Sequence, residues 1–278
     1  MGAREKYERL KADLVSLESG LVAFSGGLDS TLLLKAAQDA LGGKVTAVTV
    51  STSYMPQREI QEARDIAAGM GVIHRLLEMP LMENMRFNPP DRCYRCKKQM
   101  LVLLMEDAEK SGIQIVLDGT NADDLEDYRP GIKALRERGI LSPFLVHGIN
   151  KEDIRNISRE MGLPHWNRGP SACLLSRMPY NHEITLHRLQ MIEKAEQYLM
   201  DMGFGFVRVR SDGSAARIEV GREERKKFFD EEFLDAVSKT LKDLGYLYVA
   251  FELEGYRMGS MNRRITAKKG SIGLSNGS

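Results

Sequence analysis

The stretch Leu21-Val-Ala-Phe-Ser-Gly-Gly-Leu-Asp-Ser-Thr31 constrains this chain more than any other. Leu21 to Phe24 are consecutive apolar residues, as in a short buried strand. Helical spacing resumes at Ser30 and runs through Leu32, Leu33, Leu34, Ala36, Ala37 and Leu41. Ser25-Gly26-Gly27-Leu28-Asp29-Ser30 is therefore read as a tight turn from a strand into a helix. Such a turn is an anion site, because the first N–H groups of a helix lack intrahelical partners and the helix dipole adds positive potential. Gly26 and Gly27 would let a phosphate approach the backbone, and the hydroxyls of Ser25, Ser30 and Thr31 add donors. Neither G-x-x-x-x-G-K-[ST] nor G-x-G-x-x-G is present, and no lysine follows the glycines. The plainer alternative is a polar turn with no ligand. Fitted positions in a strand–turn–helix setting weigh against it.

The rest of the first half alternates strand and helix. Residues 3–19 pattern as a helix with Tyr7, Leu10, Leu14 and Leu17 on one face. Lys44 to Val50 reads as a second strand ending in Ser51-Thr-Ser53, 57–70 as a charged helix, and Val72 to Glu78 as a third strand. A loop over Asn84 to Arg92 leads into a helix over 93–110. A fourth strand over Ile113 to Leu117 runs into Asp118-Gly-Thr-Asn-Ala-Asp-Asp124. This order predicts a doubly wound, mostly parallel α/β sheet of Rossmann-like type, whose post-strand loops converge on one crevice. The expected nucleotide-binding residues are Ser25, Gly26, Gly27, Asp29, Ser30, Ser51, Gly119, Asn121 and Asp123, with Asp29 also a candidate for the chemistry.

Residues 130–182 are irregular, apart from a helix over Lys151 to Met161 that Asn150 would cap. A helix over 183–202, with Leu189, Ile192, Ala195, Leu199 and Met202 on one face, opens a second pattern. Alternating strands Phe206–Arg210 and Ala215–Val220, joined at Ser211-Asp-Gly213, come next, then a helix at 231–244 and a strand at 246–251. The expected organisation is a first domain over 1–168, a connecting loop over 169–182, a small α+β domain over 183–263 and a disordered tail over 264–278. A net charge of +1 gives no global field for nucleic acid, so a nucleic-acid partner is not expected. There is no apolar run of membrane-spanning length, and the N-terminus lacks the apolar stretch of a signal peptide, so the expected location is the cytoplasm, without a membrane partner.

The three cysteines are an odd number and do not suggest a disulfide framework. Cys93 and Cys96 form C-x-x-C at the start of a helix, where the sulfurs share one face and the helix N-terminus, Arg92, Arg95 and Lys97 favour thiolate. Cys173 lies in Gly169-Pro-Ser-Ala-Cys-Leu-Leu-Ser-Arg177. Three thiolates would suit a [4Fe–4S] cluster with one open iron; buried thiols, or a redox pair plus an unrelated cysteine, remain alternatives. The five histidines are scattered, with His165 and His182 flanking the cysteine loop, and Trp166 is read as packing.

S-G-G-L-D-S matches the signature of the PP-loop ATP pyrophosphatases. Taken in order with D-R-C-Y-R-C-K, D-G-T-N-A-D-D and A-C-L-L-S-R-M-P-Y, it makes the chain resemble the LarE family over residues 5–262. These are ATP-dependent sulfur transferases that help build the nickel-pincer nucleotide cofactor of lactate racemase. The resemblance implies a PP-loop ATP-binding domain over 1–168 and a substrate-binding or oligomerisation domain over 183–263. It also implies ATP and Mg²⁺, adenylation of the carboxylates of pyridinium-3,5-biscarboxylic acid mononucleotide, and their conversion to thiocarboxylates. Some family members sacrifice the sulfur of the cysteine matching Cys173. Others carry three cysteines and use a [4Fe–4S] cluster with sulfide from a donor, and this chain looks like the second kind, with Cys93, Cys96 and Cys173 as ligands. Two arginines of the first hairpin strand, Arg208 and Arg210, would then grip the phosphate of the small-molecule nucleotide substrate, with Arg177, Glu196 and Glu219 as further substrate or metal contacts. An arginine-bearing sheet face is also compatible with a homo-oligomer, or is simply a solvated face with cross-strand ion pairs. Competing readings are a PP-loop tRNA thiolase, whose usual zinc knuckles need more Cys/His pairs than exist here, and a non-catalytic adenine-nucleotide-binding module.

Overall fold

The computed structural model describes residues 1–125, 135, 139–169 and 171–257. They divide into two compact units: Met1–Met85 with Pro89–Ser171, and Arg86–Asn88 with the chain from Ala172. The tail expected over 264–278, and residues 258–263 of the expected second domain, lie outside the described residues.

The first unit holds four parallel strands, β1 (Gly20–Ala23), β2 (Val45–Thr52), β3 (Ile73–Met79) and β4 (Val116–Leu117), in the order β3-β2-β1-β4. Helix α1 (Ala3–Val15) precedes β1, α2 (Leu28–Leu41) joins β1 to β2, and α3 (Gln57–Gly69) joins β2 to β3. Helix α4 (Arg92–Lys110) leads to β4, and α5 (Pro143–Val146) and α6 (Lys151–Glu160) follow. Tyr7, Leu10 and Leu14 of α1 pack with Leu33 and Ala37 of α2, Ile154 and Ile157 of α6, and Val22 and Ala47 of the sheet in one buried cluster. Each such leucine contributes about 1.5–3 kcal/mol on burial. Helix α4 brings Leu101 and Leu104 toward Val48 and Val50, the alternate residues of β2. Helices thus cover both faces, as the doubly wound reading expects.

The boundaries move where sequence periodicity is blind to polar turns. Helix α2 begins at Leu28, because Gly27 is extended (φ −75°, ψ 167°) and serves as its N-cap. Asp29 and Ser30 therefore stand in its first turn, not in a loop before it. Helix α1 stops at Val15, where the Ser16 hydroxyl bonds back to the Asp13 carbonyl. Strand β2 runs on to Thr52, so Ser51 is a strand residue paired with Glu78. Strand β4 keeps only two ladder residues, because Ile113 closes the end of α4 by donating to the Ala108 carbonyl.

The second unit is α7 (Leu186–Asp201), the antiparallel hairpin β5 (Val207–Asp212) and β6 (Ala215–Val220), α8 (Glu231–Asp243) and β7 (Tyr248–Phe251), which pairs parallel to β6. Thr185 and Asp230 cap α7 and α8 through their side chains. The core joins Ala195 and Leu199 to Val207, Val209, Ala216, Ile218 and Val220. Met202, expected on the apolar face of α7, is 40% exposed, since the helix ends before it. The hairpin turns at Gly213, whose φ of +61° suits glycine, and Ser211 belongs to the strand. The segment Arg86–Asn88 joins this unit through its hydrogen bonds. The Asn88 amide donates to the carbonyls of Leu175, Met178 and Pro179, and Arg86 pairs with Glu183.

Candidate active site

In the first unit, a cleft of about 310 Å³ opens where the loops after β1 and β4 diverge. This is the topological switch of the sheet, the place where doubly wound folds take ligands. Phe24, Ser25, Asp29 and Ser30 line one side, and Asp118, Gly119, Thr120 and Asp124 the other. The Ser25 and Ser30 hydroxyls lie 3.1 Å apart, and Ser30 Oγ also donates to the Gly27 carbonyl at 3.1 Å. These bonds fix the turn and leave α2 without a side-chain cap on its first N–H groups.

The glycines have separate duties. Gly26 has φ +70°, and a Cβ there would meet the Ala63 backbone of α3 at 3.0 Å. Gly27 has an ordinary φ, and an added Cβ would meet only Ser25 Oγ. At Gly119 a Cβ would sit 3.2 Å from the Ser30 nitrogen, so this glycine lets the post-β4 loop press on the first turn of α2.

Two lysines that sequence reasoning did not assign to the cleft are committed to its carboxylates. Lys97 Nζ is 2.6 Å from Asp118 Oδ2, and Thr120 donates to the other oxygen. Burial would push the Asp118 carboxyl up, but the Lys97 ammonium and the hydrogen bonds from Lys97 and Thr120 hold it below its ordinary value. Lys151 Nζ contacts both oxygens of Asp29. Lys97 stood inside the D-R-C-Y-R-C-K block, whereas nothing in the sequence links Lys151 to Asp29 across 122 positions. Ser51, Asn121 and Asp123 are not among the residues lining the cleft. Asn121 is buried, its side-chain oxygen accepting from the Asp123 N–H.

Cys93 and Cys96 lie near the start of α4, and Cys173 belongs to the second unit, where it precedes a short 3-10 turn over Leu174–Arg177. None of the three is part of a disulfide. Cys96 Sγ lies 3.2 Å from the Tyr54 hydroxyl and 3.6 Å from Met100 Sδ. Among the described residues, no three histidine, cysteine, aspartate or glutamate side chains gather to hold a metal ion. His165 packs with Arg168, which pairs with Glu62 of α3; burial first, then Arg168, lowers the pKa of His165. Trp166 is 38% exposed, with the Arg159 guanidinium 5.9 Å from its ring centroid, and His182 is exposed.

In the second unit, Arg208 and Arg210 do not stand on a solvated face, the plainer alternative to a phosphate grip, whereas Arg217 is exposed. Arg208 is buried, with its guanidinium 4.3 Å from the Phe206 ring centroid. Arg210 donates twice to Glu219 and once to the Ser176 carbonyl, and Arg217 completes the pairing of Glu219. Arg177 and Glu196 are bidentate partners with side chains 0% and 3% exposed. Arg177 also donates to the carbonyls of Ala172 and Cys173, and Glu196 accepts from the Val209 N–H. This pair thus fixes the backbone at Cys173 to the start of the hairpin.

A parallel sheet switching direction between β1 and β4, with a glycine turn feeding α2 at the switch, defines a nucleotide-binding domain of the PP-loop type. Residues 9–127 match the asparagine synthase family. An uncharacterized protein of Synechocystis is 42% identical over 264 residues, 94% of this chain and 98% of that protein. The pyridinium-3,5-bisthiocarboxylic acid mononucleotide synthase of Lactiplantibacillus plantarum is 38% identical over 264 residues, 94% of this chain and 95% of that enzyme. An uncharacterized protein of Methanocaldococcus jannaschii is 33% identical over 85% of this chain and 90% of its own length. The chain belongs to the LarE family of ATP-dependent sulfur transferases.

The glycines should separate on substitution. Gly26→Ala, strained and pressed on Ala63, should lose about 1–3 kcal/mol of stability in a denaturant titration, whereas Gly27→Ala should unfold like the parent. For the buried pair, Glu196→Ala strands the Arg177 guanidinium and should cost about 3–5 kcal/mol. An unchanged denaturation midpoint for this variant would mean that the pair is not structural.

Proposed function

We propose that the protein adenylates the carboxylates of pyridinium-3,5-biscarboxylic acid mononucleotide and replaces carboxylate oxygen by sulfur, giving thiocarboxylates. The observation that carries the reading is the cleft at the β1/β4 switch, with the uncapped N-terminus of α2 at its edge. The Lactiplantibacillus plantarum relative, aligned over nearly its whole length, is named for the bisthiocarboxylic product.

ATP enters as its Mg²⁺ complex, with the pyrophosphate on the N–H groups of Gly26, Gly27 and the first turn of α2. Ser25 and Ser30 add hydroxyl donors, and Gly119 keeps the facing loop close. A substrate carboxylate oxygen attacks the α-phosphorus, the bond to the β-phosphate oxygen breaks, and pyrophosphate leaves. The resulting acyl adenylate carries AMP as its leaving group. A sulfur nucleophile adds to the carbonyl carbon and expels AMP. The domain over 183–263 takes the substrate nucleotide, with Arg208 and Arg210 offering planar donors to its phosphate and Glu219 orienting Arg210. Arg177 and Glu196 hold Cys173 in position and leave the substrate to other groups.

The donor set suits a [4Fe–4S] cluster in kind: three cysteines outside any disulfide, Cys93 and Cys96 three residues apart on one helix and Cys173 in the second unit, with no further cysteine in the sequence. A cluster held on these three would supply an open iron that carries hydrosulfide from a donor to the adenylate. The protein would then turn over, whereas a sacrificial Cys173 would allow one transfer per chain.

Anaerobic protein reconstituted with iron and sulfide, given ATP and substrate, should release AMP and pyrophosphate and form several thiocarboxylates per chain. Replacing any one of Cys93, Cys96 or Cys173 by Ser should remove bound iron and turnover together. Product limited to one sulfur per chain, with a loss of about 34 Da at Cys173 in the intact mass, would establish the sacrificial route instead.

A further inference from the structure

We propose that Phe206, braced by Tyr256, positions the Arg208 guanidinium for the substrate phosphate; the proposal rests on the reading of Arg208 as a phosphate ligand. The guanidinium carbon lies 4.3 Å from the centroid of the Phe206 ring, and one terminal nitrogen donates to the Val207 carbonyl at 2.9 Å. Phe206 and Arg208 are two positions apart, so an extended chain places them on the same side. Glu219 stands opposite Arg208 in the β5–β6 register, yet its two oxygens are met by Arg210 and Arg217. A carboxylate orients Arg210, and an aromatic face orients Arg208. The carboxylate neutralises the cation that it orients, whereas the ring holds a cation and leaves its full charge for an anion. Arg208 is 7% exposed, and such a contact is strongest where the cation is little hydrated.

Phe206 is itself held from the far end of the unit. Its ring centroid lies 4.4 Å from that of Tyr256, with the rings tilted by 55°. The chain leaving β7 continues along β6: the Glu252 N–H donates to the Ile218 carbonyl, and the Tyr256 N–H to the Val220 carbonyl, each at 2.9 Å. Between them the chain turns at Gly255, whose φ is +74° and where a Cβ would lie 2.9 Å from the Val220 carbonyl oxygen. Arg225 donates to the Leu253 carbonyl within the same turn. The backbone of Tyr256 is therefore fixed beside the end of β6, and the Gly221 N–H holds the Phe206 carbonyl at 3.4 Å. Both rings are half-buried. Residues that follow the last strand thus reach back to the arginine on the first, and Phe206 and Tyr256 are positioning residues that act through Arg208.

The test is calorimetric titration of the full-length protein with two probes: pyridinium-3,5-biscarboxylic acid mononucleotide and the nucleoside that lacks its phosphate. Phe206→Leu keeps apolar bulk and removes the aromatic face. It should weaken the mononucleotide about 3–10-fold and leave the nucleoside within about twofold, whereas Phe206→Tyr and Phe206→Trp should bind both as the parent does. Tyr256→Leu, which leaves Phe206 and β5 unaltered, should give the same selective loss at about 2–5-fold. In an Arg208→Gln background, Phe206→Leu should weaken neither probe further, because the ring acts through the guanidinium. Phe206→Leu that binds the mononucleotide as the parent does, or a loss shared equally by both probes, overturns the proposal alone. Arg208→Gln that keeps the parent's preference for the mononucleotide over the nucleoside overturns the phosphate reading of Arg208, and this proposal with it.

Discussion

The first unit depends on a meeting of three backbones around the start of α2. Gly26, in the left-handed region, lies against the Ala63 backbone of α3, and Gly119 closes on Ser30 from the other side. Neither approach tolerates a Cβ without displacement. The helix start is thereby clamped between α3 and the loop after β4, while Gly27 remains open and its neighbouring N–H groups lack a side-chain cap. A backbone donor is useful to an anion only if it is already oriented when the anion arrives. The steric cost of the turn is met by packing that also completes the core.

Charge pairs appear in both units, but burial gives them different characters. Lys151 with Asp29 is a third exposed on each side and screened by solvent, so an incoming ligand can share its ammonium at low cost. Arg177 with Glu196 is sealed from water. Opening it would leave a full charge in a low-dielectric interior, so a ligand competes poorly for either partner. Lys97 with Asp118 lies between, with the lysine partly exposed and the aspartate buried. Among these three pairs, exposure separates an ammonium that solvent can reach from groups that set backbone geometry, although both kinds look alike as charged residues in a sequence.

Much of this was legible in the sequence. Apolar runs and glycine turns located the strands, helices and cleft, because burial and positive φ leave residue-type signatures. The family followed from motif blocks, and the 38% identity to the Lactiplantibacillus plantarum enzyme over 94% of this chain agrees with it. The first turn of α2 escaped periodicity because Asp29, Ser30 and Thr31 are polar. Alternation along β5 correctly separated Val207 and Val209 from Arg208 and Arg210, but alternation reports which face a residue takes, not whether that face is covered. Pairings such as Lys151 with Asp29 and Arg177 with Glu196 are products of tertiary structure, and no local pattern encodes them.

Arg86–Asn88 bears on how the chain could have been assembled and how it can be divided. A fragment starting at Ala172 would contain nearly all of the second unit yet lack the Asn88 amide. The carbonyls of Leu175, Met178 and Pro179, all accepted partners of that one side chain, would lose it together. These carbonyls belong to the segment that runs on from Cys173. The second unit is therefore discontinuous in sequence, and a cut at the obvious junction removes a buttress of the cysteine-bearing turn. Exchange of this unit between proteins as a single stretch of gene would meet the same obstacle.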